Sequence, residues 1–129
     1  MKAQVEKYDT LPEGTYPATF AAIEPMSNES GTFWKWGFDT TYEGEAHRIT
    51  ATSSPRLTRK TKAGEWVQTL IGRQLDPGED FDFDTIVGNP CQLVLIIHDA
   101  DSGEYNRVDR VLAAKPELVT QLSADDTPF

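Results

Sequence analysis

TFWKWGFDTTY, residues Thr32–Tyr42, is the stretch that decides the fold, because it places four aromatic side chains within six positions. Aromatic and β-branched residues favour β-strands, and the turn-forming pair Glu43-Gly44 follows directly after the run. Successive side chains along a strand point to opposite faces. One face therefore carries Trp34, Trp36 and Phe38, and the other carries Phe33, Lys35 and Gly37.

The aromatic side chains of this strand have two interpretations. Large residues at every second position are what the interior of a sheet needs, which makes the tryptophan face a candidate core. Exposed aromatic rings also serve as stacking surfaces for single-stranded nucleic acid, because every base has a π-face. One face can be core while the other is functional. The candidates for base stacking are Phe33, Trp34, Trp36 and, from a later strand, Tyr105.

Length and composition are those of a soluble globular protein. The 129 residues are 38% apolar and 26% charged, which fits one domain with a tail. No apolar run approaches the roughly 20 residues of a membrane span, and the start MKAQVEKYD lacks the apolar core of a secretory signal. Cys91 is the sole cysteine and lies in an apolar run, so we expect a small buried side chain in a protein of the reducing cytoplasm.

Charge is unevenly distributed along the chain. The net charge of −9 argues against a strongly electrostatic nucleic-acid binder. However, residues 46–64 contain five cationic side chains and no acid, whereas residues 76–84 contain five acids and no base. The basic strip 46–64 is either a solvated helix face or a local phosphate-binding surface. The candidates for phosphate contacts are Lys35, Arg48, Arg56, Arg59, Lys60 and Arg107.

Periodicity predicts five strands and one helix. The strands are Thr15–Ile23, Thr32–Tyr42, Ala46–Thr52, Asn89–His98 and Glu104–Leu112, with a polar loop at Pro25–Gly31. On the fifth strand, alternation places Tyr105, Arg107, Asp109 and Val111 on one face.

The helix is predicted between the third and fourth strands. Ser54-Pro55 is a candidate N-cap followed by proline, and Gly72 is placed to end the helix. Gly64 costs about 1 kcal/mol relative to alanine, so a later start after a loop over Arg56–Lys62 is the alternative. Three strands, a helix and two strands is the order of the OB-fold, a five-stranded barrel that commonly binds oligonucleotides. The fold class is therefore all-β, with an OB-fold-like domain at residues 1–114 and a tail at 115–129.

The chemistry-bearing residues do not form a recognisable active site. His47 and His98 are far apart and belong to no metal motif such as HExxH, and Cys91 has no helix-start setting that would lower its pKa. There is no glycine-rich phosphate loop and no nucleophile elbow. We therefore expect a protein without catalysis and without a cofactor.

The acidic run Asp76–Asp84 is the one candidate metal site. Its alternating aspartates suggest a calcium loop that starts at Asp80, but that loop needs glycine at its sixth position and glutamate at its twelfth. Thr85 and Cys91 occupy those positions. We expect a solvated loop and no metal.

Two parts of the chain resemble known families. The ending Asp125-Asp126-Thr127-Pro128-Phe129 resembles the acidic tip with which bacterial single-stranded-DNA-binding proteins recruit replication and repair enzymes. The body resembles the OB-fold single-stranded-DNA-binding proteins of bacteriophages. The matching pieces are Leu11-Pro12-x-Gly14-x-Tyr16, Gly31 before the aromatic strand, Gly88-Asn89-Pro90-Cys91, and Tyr105-Asn106-x-Val108-x-x-Val111.

These resemblances imply a phage-type protein that coats single-stranded DNA during replication, recombination or repair in the cytoplasm of a bacterial host. Asp125, Asp126, Pro128 and Phe129 would then bind host or phage enzymes. The alternative is an OB-like interaction module that mimics the host tip to capture or inhibit host repair proteins, which the acidic net charge favours. DNA versus RNA and the oligomeric state stay open, because exposed strand edges can pair between copies.

Overall fold

The aromatic run forms the second strand of a five-stranded antiparallel sheet. This computed structural model describes residues 1–3, 10–101 and 103–114; the predicted tail, with Asp125, Asp126, Pro128 and Phe129, lies outside the described residues. The elements are β1 (Gly14–Asn28), β2 (Gly31–Tyr42), β3 (Glu45–Ser53), α1 (Lys62–Ile71), a 3-10 helix (Phe83–Ile86), β4 (Pro90–Ala100) and β5 (Gly103–Ala113). The strand order is β3-β2-β1-β4-β5.

The sheet curls so that its two ends meet. β3 and β5 approach each other although they are not hydrogen-bonded neighbours, and α1 packs against β4 and β5. A five-stranded, partly open barrel with its helix between the third and fourth strands is the OB-fold arrangement. The predicted fold class is therefore confirmed, and the place where β3 faces β5, which we call the seam, is the opening in the barrel.

The tryptophan face of β2 is core. Trp36 and Phe38 are fully buried, and the ring of Trp36 packs edge-to-face on Phe20 at 5.7 Å and on Trp66 of α1 at 5.1 Å between centroids. The indole N–H of Trp36 donates to the hydroxyl of Ser53 at 2.9 Å, so its polar atom is satisfied inside the core. The opposite face of β2, with Lys35, is consequently the outer surface of the barrel.

The hairpins follow from turn chemistry, with one correction. Glu43 and Gly44 both have positive φ, which matches the predicted tight turn between β2 and β3. The predicted loop at residues 25–31 is wrong, because β1 continues to Asn28 and pairs with β2 as far as Gly31. The polar composition of that segment reflects a solvated two-stranded ribbon that extends beyond the barrel.

The helix begins later than Ser54-Pro55, which agrees with the alternative prediction of a loop before the helix. Thr61 is the N-cap, and its hydroxyl accepts the backbone N–H of Gly64 at 3.1 Å. A Cβ at Gly64 would lie 1.5 Å from the carbonyl oxygen of Thr58, so the loop before the helix packs where only glycine fits. The predicted helix end is confirmed, since Gly72 has φ 74° and donates its N–H to Gln68.

A β-bulge corrects the predicted faces of β5. Val94 pairs with Arg110 and Leu95 pairs with Val108, so Asp109 is the extra residue. Val108 and Val111 are both buried as a result, although they are three positions apart. Val111 therefore does not share the outer face with Tyr105.

The acidic run is only partly a solvated loop. Its aspartates alternate with Phe81 and Phe83, whose rings pack on each other at 5.2 Å and lie against the core. Cys91 is buried as expected, and burial raises the pKa of its thiol to about 12. Among the described residues no helix has the length and apolar character to cross a membrane.

Replacing Gly64 by alanine tests the contact with Thr58. Helix propensity alone predicts a gain of about 1 kcal/mol, whereas overpacking against a backbone carbonyl predicts a loss of about 1–3 kcal/mol in the free energy of unfolding. We expect the loss, measured by urea denaturation. Glu65→Ala, at the next, exposed position, is the control and should change stability little; a stabilised Gly64→Ala variant would contradict the packing.

Candidate nucleic-acid interface

A hollow of about 580 Å³ lies along the seam of the barrel. We call it the seam hollow. Its lining comes from β2 and both faces of β3 on one side and from β5 and the start of α1 on the other. The β2–β3 register pairs Lys35 with Thr52 and Gly37 with Thr50, and it places Arg48 on the same outer face. The burial of Trp36 on the inner face thus places Lys35, Arg48 and the two threonines on the outer side of the hollow.

Cationic side chains dominate the seam hollow. Lys35, Arg48, Lys62 and Arg107 line it, against a single carboxylate, Glu104. Within the described part of the chain, Arg48 is the member of this group that has an ion-pair partner, the carboxylate of Asp39. A concentration of unneutralised cations in a protein of net charge −9 is a local anion-attracting surface.

Lys62 has an unusual environment in this group. Its ammonium lies 4.8 Å from the ring centroid of Trp66, one helical turn away, and donates to the carbonyl oxygen of Thr52 at 3.1 Å. Partial burial and then the nearby Arg107 guanidinium lower the pKa of Lys62 below its ordinary value. Two like charges held close together, neither of them in an ion pair among the described residues, favour an anion at that point.

Tyr105 is the aromatic side chain of the hollow. Its side chain is 46% exposed, and its ring packs edge-to-face against His98, its partner on β4, at 5.3 Å. The next residue, Asn106, holds the backbone of Leu11 through two amide hydrogen bonds of 2.7 and 2.9 Å. Tyr105 is thus an exposed ring on a firmly anchored strand.

The other predicted stacking residues lie elsewhere. Trp36 is 0% exposed, so its assignment as a stacking residue is wrong: the aromatic core covers it completely. Trp34 is half-buried on the same inner face, with its ring 5.5 Å from that of Phe83. Phe33 is half-buried on the outer face of the β1–β2 ribbon, opposite Met26, and does not line the seam hollow.

The basic strip is divided between two places. Arg59 and Lys60 line a separate hollow with residues 75–79, where Arg59 donates to the carbonyl of Leu75 at 2.5 Å and lies 3.9 Å from Asp76. Arg56 is exposed in the loop before α1. These three residues therefore do not join Lys35, Arg48 and Arg107, and the predicted phosphate-binding group is only partly assembled.

Lys62 was not among the candidate residues that the sequence suggested. The residue belongs to the basic strip, and its spacing of four from Trp66 on a helix was the available signal for a cation–π contact. Threonines 50 and 52 also line the hollow and offer hydroxyl groups. Among the described residues there is no group of three or more His, Cys, Asp or Glu side chains that could hold a metal ion.

Comparisons with known proteins give similarities to solved structures alone. No protein-family model and no curated protein sequence matches the chain. The solution NMR structure of the second OB-fold domain of replication protein A from Methanococcus maripaludis matches with a TM-score of 0.38 and 12% sequence identity, over 80% of this chain and 84% of that one. The strand order and the helix position, rather than this similarity, define the fold.

Replacing Arg107 by glutamine tests the proximity of the two cations. Loss of a neighbouring positive charge favours the protonated amine, so we expect the pKa of Lys62 to rise, although burial, the larger cause, still holds it below the ordinary lysine value. The pKa is measured from the pH dependence of the lysine ε-carbon NMR signals. Arg56→Gln is the control; an unchanged or lower Lys62 pKa in Arg107→Gln would contradict the arrangement.

Proposed function

We propose that this protein binds single-stranded DNA at the seam hollow and acts without catalysis. The observation that carries the proposal is the group of four cations against one carboxylate that β2, β3, β5 and the start of α1 bring to the seam hollow. In OB-folds the face of the second and third strands and the loops that flank it commonly bind oligonucleotides. Phosphates are the natural partners of such a group, and an extended strand can follow it along the barrel.

The acidic net charge sets the conditions for binding. Phosphates approach a molecule of charge −9, so long-range repulsion opposes the local attraction of the seam hollow. Screening by salt weakens both terms, but the short-range contacts release counterions and dominate the salt dependence. Arg48 contributes less than its charge suggests, because a phosphate must compete with Asp39 for its guanidinium. We therefore expect moderate affinity that falls as salt rises.

Base stacking adds a second, non-electrostatic contribution. Tyr105 presents an exposed ring beside the cations, and a stacked base contributes about 1–3 kcal/mol. Phe33 on the β1–β2 ribbon offers a further ring outside the hollow. Trp36 and Trp66 are buried and take no part in stacking, so tryptophan fluorescence is a weak readout and a labelled oligonucleotide is the better one.

We further propose that this is a phage-type protein of DNA replication, recombination or repair. The resemblance of residues 11–112 to phage single-stranded-DNA-binding proteins supports it, as does the ending Asp125-Asp126-Thr127-Pro128-Phe129. A terminal phenylalanine can fill an apolar pocket while its carboxylate and the two aspartates meet a basic rim. The tip would recruit host or phage enzymes to coated strands in the bacterial cytoplasm.

A second candidate function is an interaction module that presents the tip without binding DNA. The net charge of −9 favours it, because most of the surface repels phosphate. In that case the tip captures or blocks host repair enzymes by imitating the host protein. Absence of oligothymidine binding together with tip-dependent binding to such an enzyme would select this function.

Tyr105 substitutions test the DNA-binding proposal. We expect wild-type protein to raise the fluorescence anisotropy of labelled oligothymidine at low salt and to release it at high salt. Tyr105→Ala should weaken binding by about 1–3 kcal/mol, whereas Tyr105→Phe keeps the ring and should retain most of the affinity. Val87→Ala changes an exposed apolar side chain outside the hollow and is the control. Salt-independent binding, or equal affinities of Tyr105→Ala and wild type, would refute the proposed site.

A variant that ends at Ala124 tests the tip separately. It should bind oligothymidine at least as well as the full chain, since it loses two aspartates and a terminal phenylalanine but none of the seam residues. It should no longer compete with a peptide of the host tip for a bacterial enzyme that recognises that tip. Thr127→Ala is the control, because it leaves Asp125, Asp126, Pro128 and Phe129 intact. Undiminished competition by the shortened chain would rule out recruitment through the tip.

A further inference from the structure

A second hollow continues the seam hollow along β5. This helix hollow, of about 410 Å³, lies between α1 and β5 and is lined by residues that include Trp66, Thr69 and Arg110. It shares Lys62, Arg107 and Val108 with the seam hollow. The two hollows are therefore adjoining parts of one surface, with Lys62 and Arg107 at their junction.

The junction is built to receive an anion. Neither Lys62 nor Arg107 has a carboxylate partner among the described residues. The ammonium of Lys62 uses one N–H for the carbonyl of Thr52, which leaves two of its three donors for another acceptor. The Trp66 ring beneath Lys62 holds the ammonium in place without neutralising its charge.

The bulge in β5 directs a third cation to the same side. In a regular strand, residues 107 and 110 would point to opposite faces. Because Asp109 is the extra residue, Val108 and Val111 both point into the core, and Arg107 and Arg110 both lie on the outer side. Their partners on β4, Ile96 and Val94, are two residues apart, so the two arginines are about 7 Å apart along the strand direction, from a rise of roughly 3.3 Å per residue.

We propose that Lys62 and Arg107 together hold one backbone phosphate, and that a bound strand passes this point into the helix hollow, where Arg110 meets a later phosphate. The inference rests on the proposed function and adds a second binding segment to it. A distance of about 7 Å corresponds to roughly one to two nucleotides, taking the 3.4 Å spacing of a stacked strand as the lower limit. The segment is thus a short extension of the seam site.

The charges that line the two hollows indicate how much each contributes to the affinity for a bound strand. The helix hollow is lined by three cations, Lys62, Arg107 and Arg110, against two carboxylates, Glu65 and Asp109. The seam hollow has four cations against one carboxylate. The seam hollow therefore provides the principal attraction, and the helix hollow adds affinity only to strands that are long enough to pass the junction.

A length series of oligothymidines tests this extension. For wild-type protein the affinity should increase in a step once the strand passes the junction. Arg110→Gln should remove that step, weakening long strands about two- to fivefold, the effect of an exposed ion pair, and leaving the shortest binding strand unchanged. Arg56→Gln, an exposed arginine that lines neither hollow, is the control.

Lys62 variants test the junction phosphate in the same series. Lys62→Gln should make the negative slope of log affinity against log salt less steep by about 0.7 for strands that reach the junction, whereas Lys62→Arg should keep the wild-type slope. If Arg110→Gln equals wild type at every length, or weakens short and long strands alike, the extension is wrong while DNA binding stands. If wild-type protein binds no oligothymidine at low salt, the proposed function fails and the extension fails with it.

Discussion

The burial of Trp36 is the constraint on which the rest of the structure depends. Its ring meets β1 through Phe20 and α1 through Trp66, and its N–H is satisfied by Ser53 of β3. Because side chains alternate along a strand, fixing one such residue inward also fixes the register of the strand, since a slip by one position would exchange the two faces. The outward position of Lys35 and of the β3 residues opposite it is therefore a consequence of core packing, which in this way also determines the surface that is proposed to bind phosphates.

Local signals in the sequence were sufficient to predict those structural features that depend on residues close together in the chain. The five strands, their order around the helix, the tight turn at Glu43-Gly44 and the helix end at Gly72 all follow from alternation, turn residues and positive-φ positions. The burial of Cys91 follows from its apolar surroundings in the same way. These features need no knowledge of what lies across the barrel, which is why the fold class could be predicted.

Features that depend on distant partners were predicted incorrectly or missed. The side chains of β5 change faces at Asp109 because of the register between β5 and β4. No residue near the bulge indicates this change in the sequence. Gly64 looks like a weak point of a helix, yet the carbonyl of Thr58 leaves room for no other residue. Trp36 and Lys62 were misassigned or overlooked for a related reason: aromatic and basic runs do not tell which members face the core, the seam or another loop.

The cationic residues that lie close together in the sequence do not form a single basic patch on the folded protein. The loop before α1 is tied to residues 75–79 by Arg59, whose guanidinium donates to Leu75 and approaches Asp76, so part of the basic strip faces the acidic run. The seam collects its cations from three strands and a helix instead. An acidic protein can thus present a positive groove, because attraction at contact distance depends on which side chains the fold brings together, whereas net charge governs only the approach from beyond the Debye length. If the groove binds nucleic acid as proposed, it should favour a flexible single strand over a rigid duplex, since a single strand can follow the cations while the remaining acidic surface repels a wider ligand.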